Sequence, residues 1–372
     1  MIVPEYLFHV SKNLVRNRLL PARRKQLVIV SDDWGSIRVE SRSTQAYLRE
    51  LGITIDSNRF DKFDSLERKE DLEELFNVLL KHKDSQGRHP VITAFCNVAN
   101  PDFDKISKSG FTEYAFEPFT ETLKRRDGLE DVLRLYKEGI SKGIFIPQFH
   151  GREHINIRSW IKNLQESELA RKAFEVKYFM LGKKYLPSKL KYGNGAAFDL
   201  FDSEDLVSQS EVINSGLSLF KNIFDYKASF FAAPSLIYSD KLIETITANE
   251  IRGVDVSRIR KQPLGEGKYA TSFHYTGQKA SIDLSYVVRN AVFEPNMREN
   301  SDGVDSCMAR IARAFSWGSP AIISNHRAAF VGSLSTSNRV NGIAALDRLL
   351  SKILRYWPDV SFCNLTDLDL TK

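Results

Sequence analysis

The stretch that decides the fold is GIFIPQFHGREH, residues 143 to 154, in which a mostly apolar run is followed by two histidines four positions apart. The run has the length and the β-branched and aromatic content of a buried strand. Similar runs recur along the chain: QLVIVS (26–31), PVITAFC (90–96), ASFFAAP (228–234), IRGVDVS (251–257) and PAIIS (320–324). Continuous apolar strands of this kind are typical of parallel sheets that helices cover.

Between these runs lie stretches with apolar residues at helical spacing. The stripes are Leu72, Leu75, Phe76 and Leu79; Leu129, Val132, Leu133 and Tyr136; and Ile343, Leu346, Leu349 and Leu350. Alternating strands and helices predict an α/β fold, either a doubly wound sheet or a (β/α) barrel. Polar residues follow several of the apolar runs. In a parallel barrel all carboxyl strand ends open on one face, so that one pocket could collect these residues, and we therefore favour the barrel.

Two motifs at strand ends offer metal ligands. On a helical turn His150 and His154 lie on one side, so that both imidazoles can reach one ion. The H-E-x-x-H zinc peptidases share this histidine spacing, but Gly151 stands where they need a glutamate, which argues against such a peptidase. A catalytic metal commonly has three protein ligands, and the aspartates of VSDDWGS offer a third. One of Asp32 and Asp33 could bind the ion while the other acts as general base.

Each motif also has a purely structural interpretation. The two aspartates could cap a turn, and the two histidines could be ordinary surface residues. Both motifs, however, end apolar strands, and the last apolar run also ends in a histidine, His326. This coincidence favours a shared site.

The order of these motifs resembles that of the polysaccharide deacetylases of carbohydrate esterase family 4, the chitin and chitooligosaccharide deacetylase group. The shared features are an Asp-Asp pair after the first strand, H-x-x-x-H after a middle strand, a proline at a later strand end and a histidine after the final strand. They span residues 27 to 330. The resemblance implies a deformed (β/α) barrel of about seven parallel strands, with helices outside and long loop insertions. It also implies zinc or a similar divalent ion and the removal of acetyl groups from N- or O-acetylated sugars.

The resemblance assigns roles residue by residue. It implies a general base at Asp32, metal ligands at Asp33, His150 and His154, and a general acid at His326. In such a mechanism the metal polarises the acetyl carbonyl and lowers the pKa of its water. The base takes a proton from that water, and the acid protonates the departing amine or alcohol.

The sequence departs from the family's pattern at three positions. Trp34 separates the second aspartate from Gly35, Gly151 replaces a serine or threonine after the first histidine, and Ala232 stands where the Arg-x-Pro-x-Gly motif has its arginine. Pro234 of that motif is retained. A positive charge beside the general base keeps it ionised and oriented, so the missing arginine requires a substitute.

Arg289, in VVRNAVFEP, and Arg327, which follows the last histidine, are the candidates for this substitute. Each could instead be a surface arginine or contact the glycan. Trp34 is a candidate for stacking on a sugar ring, although most aromatic residues of an α/β protein belong to its core. Pro234 is a candidate for shaping the substrate site.

Composition narrows the class of protein. With 372 residues, 42% hydrophobic and 11% aromatic, the chain can form a large core. The net charge is only +6. The basic stretch RNRLLPARRK (16–25) is interpreted as solvated surface rather than a patch for anionic glycans, and without a nucleic-acid motif no such partner is expected. The 3 cysteines are far apart and odd in number, which argues against a disulfide framework or a thiolate metal site.

No apolar run reaches about 18 residues, and the N-terminus lacks an apolar signal region. We therefore expect no membrane span and a cytoplasmic location. A single domain is expected over residues 1–372, with insertions near 155–205 and 258–302.

The leading hypothesis is a metal-dependent carbohydrate deacetylase. Two alternatives stay open. The first is a carbohydrate-binding relative that has lost turnover together with the arginine. The second is another metal-dependent barrel hydrolase that cuts a cyclic amide or glycosidic bond.

Overall fold

The structure is a computed structural model that describes residues 24–126, 129–186, 193–296 and 303–370. Most of the basic stretch 16–25 lies outside the described residues, which include only its Arg24 and Lys25. None of the described helices is long and apolar enough to cross a membrane.

A nine-stranded parallel sheet forms the centre of the described chain. Strands are numbered in chain order, and eight of them lie side by side in the following spatial order: β10 (Ser285–Val287), β7 (Gly253–Asp255), β6 (Phe230–Ala232), β5 (Phe145–Phe149), β2 (Ile92–Cys96), β1 (Lys25–Trp34), β12 (Ala321–His326) and β11 (Ala291–Val292). The ninth, β13 (Val360–Phe362), pairs with the beginning of β1.

Two antiparallel hairpins of the described residues stand apart from this sheet. One pairs β3 (Ala99–Pro101) with β4 (Phe116–Pro118), and the other pairs β8 (Ile259–Gly265) with β9 (Lys268–Phe273). Both follow the carboxyl ends of sheet strands, so both lie in connections on the side of the sheet where those strands end.

Helices surround the sheet. Those of the described residues are α1 (Arg42–Glu50), α2 (Arg59–Phe63), α3 (Lys69–Lys81), α4 (Phe103–Lys108), α5 (Phe119–Lys124), α6 (Val132–Ser141), α7 (Ile157–Glu166), α8 (Glu168–Glu175), α9 (Asp205–Phe224), α10 (Ile243–Ala248), α11 (Val304–Ser316) and α12 (Thr336–Tyr356). The three apolar stripes read from the sequence are on α3, α6 and α12 and pack in the large core between helices and sheet.

The strands alternate between two apolar layers, as the period of two requires. Along β1, Leu27 and Ile29 belong to the core under the helices, whereas Val28 and Val30 belong to a second cluster on the inner face. This inner cluster collects side chains from β1, β2, β6, β10 and β12. Strands far apart in the spatial order therefore share one interior, which means that the sheet is strongly curved.

The predicted α/β architecture, mainly parallel with surrounding helices, is confirmed. All six apolar runs read from the sequence contain sheet strands. The sheet has nine strands rather than the expected seven or so. The sequence did not reveal β10, β11 and β13, because each has only two or three residues, too few for a periodicity signal. In the described residues β10 and β11 end the spatial order and do not pair with each other, so closure into a barrel stays a prediction.

Candidate active site

Polar side chains from six strands meet at the carboxyl rim of the sheet. Each of these side chains lies at the end of its strand or shortly after it. They are Asp32 and Asp33 on β1, His150 and His154 after β5, Asp255 on β7, Arg289 after β10, Glu294 after β11 and His326 on β12. The sequence placed five of these at one rim from strand order alone. The structure brings all five together and adds the partners that hold them.

A β-bulge at the end of β1 lets the side chains of both adjacent aspartates reach the rim. Ser31 pairs with Ala94 and Trp34 with Cys96, so that two residues of β1 face one residue of β2. Without this extra residue, Asp33 would continue the alternation toward the helices. The bulge, with a φ of 75° at Asp33, turns its carboxylate to the rim instead.

Asp33 faces both histidines. Its Oδ1 lies 3.3 Å from Nε2 of His150 and 3.3 Å from Nε2 of His154. Burial alone would raise the pKa of Asp33, but the hydrogen bonds from the two imidazoles outweigh it and hold the pKa well below its usual range. The three residues are the one Asp/His cluster among the described residues whose ligand atoms could share a metal ion.

The backbone fixes the tautomer of His150. Its Nδ1–H donates to the carbonyl oxygen of Ala232 at 2.8 Å, so in the neutral ring the lone pair is on Nε2, the nitrogen that faces Asp33, and only the protonated ring can also donate to Asp33. Metal-binding histidines typically have this second contact, which orients the ring. The position where the family has an arginine therefore contributes through its carbonyl group. Nδ1 of His154 is buried and has no hydrogen-bond partner among the described residues.

These residues fit a divalent metal ion. Ligand atoms bound at 2.0–2.2 Å in a tetrahedral arrangement lie about 3.3–3.5 Å from one another. The two 3.3 Å separations from Asp33 Oδ1 agree with this value. One carboxylate and two imidazoles are also a common donor set for catalytic zinc, which keeps a further position for water or substrate.

The loop between the two histidines explains one departure from the family's pattern. Gly151 has a φ of 90°, and a Cβ atom there would lie 3.3 Å from Cδ of Pro234. A serine or threonine would be strained in this left-handed conformation and crowded by the proline. Pro234 is buried and packs against the metal-site loop, so in this structure it supports the loop.

Asp32 is held by an arginine from a distant strand end. Arg289 donates from Nη1 to Oδ2 at 2.7 Å and from Nη2 to Oδ1 at 2.8 Å, a bidentate pair. Its Nε donates to Asp255. Burial raises the pKa of Asp32, but Arg289 with the nearby histidines outweighs it, and the net pKa is lowered. Burial raises the pKa of Asp255 to about 6 even though Arg289 opposes the shift.

Of the two candidate arginines, the structure therefore brings Arg289 to the proposed base. Arg327 turns the other way. It is fully buried and donates from Nε and Nη2 to Asp64 at 3.0 Å each and from Nη1 to Glu67 at 2.7 Å. It is neither a partner of Asp32 nor a surface residue.

His326 also faces Asp32. Its Nε2 lies 3.7 Å from Asp32 Oδ2, and its Nδ1–H donates to Glu294 Oε1 at 2.5 Å. Burial lowers the pKa of His326, but the charge of Glu294 outweighs it and raises the pKa above the usual value. Arg59 pairs with the other oxygen of Glu294 and covers the ring of Phe60, whose edge packs against His326.

Trp34 does not offer its face to a ligand. Its side chain is fully buried, packs edge-on against Phe145 with ring centroids 4.9 Å apart, and donates from Nε1 to Ser31 Oγ at 3.0 Å. The prediction that it could stack on a sugar is wrong for this structure, because the bulge directs the indole into the core.

Sequence reasoning missed Asp255, Glu294 and Arg59. Asp255 carried a usable signal, since it lies in the apolar run IRGVDVS, at the end of β7. Glu294 follows β11, which is too short to be recognised from the sequence. Arg59 lies on α2, a connection between strands, and nothing in its sequence environment sets it apart.

The assembled rim combines three groups of side chains with different chemistry. It has a donor set for a divalent ion, an ionised carboxylate fixed by an arginine, and an imidazole whose raised pKa favours the protonated form. Such a set can activate water, remove its proton and protonate a leaving group.

No protein-family model matches the chain, and no curated protein matches it. Solved structures do resemble it. A putative polysaccharide deacetylase from Mycobacterium smegmatis has a TM-score of 0.43 at 9% identity, covering 93% of this chain and 89% of that one. A probable polysaccharide deacetylase from Pseudomonas aeruginosa PAO1 has a TM-score of 0.42 at 10% identity, covering 92% and 89%. A CE4 family pseudoenzyme from Bacillus anthracis has a TM-score of 0.39 at 11% identity, covering 94% and 66%.

Proposed function

We propose that this protein is a metal-dependent hydrolase that removes acetyl groups from an N- or O-acetylated carbohydrate. The observation that carries the proposal is the convergence of Asp33, His150 and His154 at the rim that also holds a fixed carboxylate, Asp32, and a partly exposed imidazole, His326. The metal-hydrolase part rests on this geometry. The acetylated-carbohydrate part rests on the resemblance of the motifs to polysaccharide deacetylases.

Asp33, His150 and His154 would hold the ion. When bound, a divalent ion such as Zn²⁺ supplies polarisation of the acyl carbonyl and lowers the pKa of water. The residues contribute orientation. The contact between His150 Nδ1 and Ala232 keeps one ring in position, and the bulge at Asp33 keeps the carboxylate directed at both rings.

Asp32 would act as general base. The two hydrogen bonds from Arg289 use one lone pair on each carboxylate oxygen, and the remaining lone pairs can accept a proton from water. Because Arg289 is itself anchored by Asp255, the carboxylate of Asp32 is oriented before substrate arrives.

His326 would act as general acid. With its Nδ1–H donated to Glu294, the proton to be transferred is on Nε2, the nitrogen that faces Asp32. Protonation of the leaving amine or alcohol from this position completes the hydrolysis.

The arrangement also bears on the alternative of an impaired carbohydrate-binding relative. The reason to expect impairment was the alanine at position 232. Arg289 supplies the missing charge from another strand, so the absence of an arginine at that position does not argue against turnover.

The direct test measures acetate release by the purified protein from N-acetylated chitooligosaccharides and from O-acetylated xylooligosaccharides, after reconstitution with Zn²⁺. We expect release from at least one of these, its loss with a chelator and its loss in Asp33→Ala. Hydrolysis of a cyclic amide and of an unacetylated oligosaccharide should be measured in parallel. These two assays test the alternative that the protein cuts a cyclic amide or a glycosidic bond.

Asp84→Asn is a matched control for Asp33→Ala. Like Asp33, Asp84 is a buried carboxylate. It accepts a hydrogen bond from the backbone N–H of Phe362 in β13, which lies beside the beginning of β1 and away from the rim. Metal content and activity should be normal in this variant. Equal metal in wild type and Asp33→Ala, or no acetate release from any acetylated sugar, would count against the proposal.

A further inference from the structure

The bulge that directs Asp33 at the two histidines is backbone in a conformation that favours glycine. Asp33 has a φ of 75°, and Gly35, two residues on, has a φ of 77°. A Cβ at Gly35 would lie 2.4 Å from the carbonyl oxygen of Asn97, so only glycine fits there. A non-glycine residue in the left-handed region is strained and persists only where the surroundings hold it. The residues that hold this turn are therefore part of the metal site's construction.

Glu67 makes the contact to this turn that involves a buried charge. The Gly35 N–H donates to Glu67 Oε1 at 3.1 Å. The side chain of Glu67 is completely buried, and the residue lies in the connection just before α3. The hydrogen bond restrains the turn through an acceptor oxygen held at this distance, which a carboxylate or an amide of the same length can provide.

Two further groups fix the position of Glu67. Tyr136, on α6, donates its hydroxyl to Oε1 at 2.5 Å, and Arg327 donates from Nη1 to Oε2 at 2.7 Å. Arg327 directly follows His326, the last residue of β12. Contacts from α6 and from the end of β12 therefore fix the Glu67 carboxylate in place. The fixed carboxylate in turn restrains the turn after β1 through its hydrogen bond with Gly35.

Asp64 provides an internal comparison. It is buried like Glu67 and accepts two hydrogen bonds from the same arginine, Arg327. Within the described residues, however, its side chain forms no hydrogen bond with the turn at residues 33–36. Loss of charge at either acid disturbs the arginine. Only a change at Glu67 removes the hydrogen bond to Gly35.

From these contacts we propose that Glu67 is a positioning residue for the metal ligand Asp33, acting through its hydrogen bond to the Gly35 N–H. The inference rests on the proposed function, since it takes Asp33 as a metal ligand. It assigns to the buried Glu67–Arg327–Tyr136 cluster the task of keeping the bulge in its left-handed form. In this chain Trp34 lengthens the turn, and the cluster supplies the restraint that such a turn requires.

Two variants of Glu67 separate positioning from charge. Glu67→Asp keeps the charge for Arg327 but shortens the side chain, so that it no longer reaches Gly35. Glu67→Gln keeps the length and an acceptor oxygen but loses the charge. Positioning through Gly35 predicts that Zn²⁺ binds about tenfold or more weakly to Glu67→Asp, whereas Glu67→Gln stays within about threefold of wild type. Asp64→Asn should also bind Zn²⁺ nearly as wild type does.

The measurement is competition for Zn²⁺ with a chromogenic chelator, together with hydrogen–deuterium exchange of peptides covering residues 31–37 in the metal-free proteins. We expect faster exchange of these peptides in Glu67→Asp and unchanged exchange in Asp64→Asn. The inference is overturned if Glu67→Gln weakens Zn²⁺ binding more than Glu67→Asp does, or if Asp64→Asn matches Glu67→Asp in both measurements.

The two possible failures can be told apart. If Asp33→Ala binds Zn²⁺ as tightly as wild type, the proposed function fails and the inference fails with it. If Asp33→Ala loses Zn²⁺ but Glu67→Asp binds it normally and exchanges normally at residues 31–37, the inference alone fails. Should Glu67→Asp not fold, Tyr136→Phe, which removes one of the donors that hold Glu67, takes its place. No change in exchange in that variant overturns the inference.

Discussion

Asp32 and Asp33 are adjacent in the sequence, but they belong to two halves of the site with different electrostatic balance. Asp33 faces His150 and His154, and within the described residues no arginine or lysine side chain forms an ion pair with it. We call these three residues the ligand half. Asp32 instead has a guanidinium, that of Arg289, in direct bidentate contact.

The second half comprises Asp32, Arg289, His326 and Glu294, and we call it the proton-transfer half. Each acidic group there has a basic partner within the protein. The difference teaches that the charges of the two halves are balanced by different means. The proton-transfer half pairs its charges within the chain, whereas the ligand half converges on one point and, under the proposed function, would be completed by a cation. Removing residues from one half should therefore have effects that differ in kind from those in the other.

The largest effect is expected from Asp33→Ala, which removes the carboxylate of the ligand half. Loss of metal assistance should lower kcat for acetate release by about a thousandfold, since a metal contributes several kcal/mol to the transition state. Metal content, measured by elemental analysis, should fall in parallel. If metal remained bound while activity disappeared, the division of the site into two halves would be wrong, because Asp33 would then belong to the proton-transfer half.

A smaller loss, about a hundredfold in kcat/KM, is expected from Arg289→Ala, because the general base loses its fixed orientation. Arg289 lowers the pKa of Asp32, so its removal raises that pKa. The base must be ionised to act, and the acidic limb of the pH profile should therefore move to higher pH. Arg260→Ala is the control, since Arg260 is also fully buried but pairs with Asp240. An unmoved acidic limb in Arg289→Ala would remove the arginine from the mechanism.

Glu294→Gln should reduce activity at neutral pH about tenfold, because a smaller fraction of His326 is protonated once the charge of Glu294 is lost. Glu294 raises the pKa of His326, so its neutralisation lowers that pKa. His326 acts in its protonated form, and the alkaline limb of the pH profile should move to lower pH. A shift of this limb in the opposite direction would contradict the assignment of His326 as the acid.

The smallest effect is expected where the two halves should be independent. Glu294→Gln should leave the affinity for Zn²⁺ within about twofold of wild type, because the two halves share no direct partner through Glu294. Competition with a chromogenic chelator measures this directly. A tenfold change would mean that the two halves are coupled and would remove the distinction between them.

Much of the fold could be predicted from local sequence. The six apolar runs and the three helical stripes are patterns of neighbouring residues, and each corresponds to a strand or helix of the structure. The presence of Asp33, His150 and His154 at one rim followed from strand order, because parallel strands end on the same side.

What the sequence by itself determined is therefore the set of strands, their covering helices and the rim at which the polar residues collect. Only the tertiary structure decided that Arg289, 257 positions from Asp32, holds the base while Arg327 is buried against Asp64. It also decided that a bulge turns Asp33 to the rim and Trp34 into the core. The physical reason is range: periodic burial is encoded in neighbouring residues, whereas the partner of a buried charge is chosen by packing between distant segments.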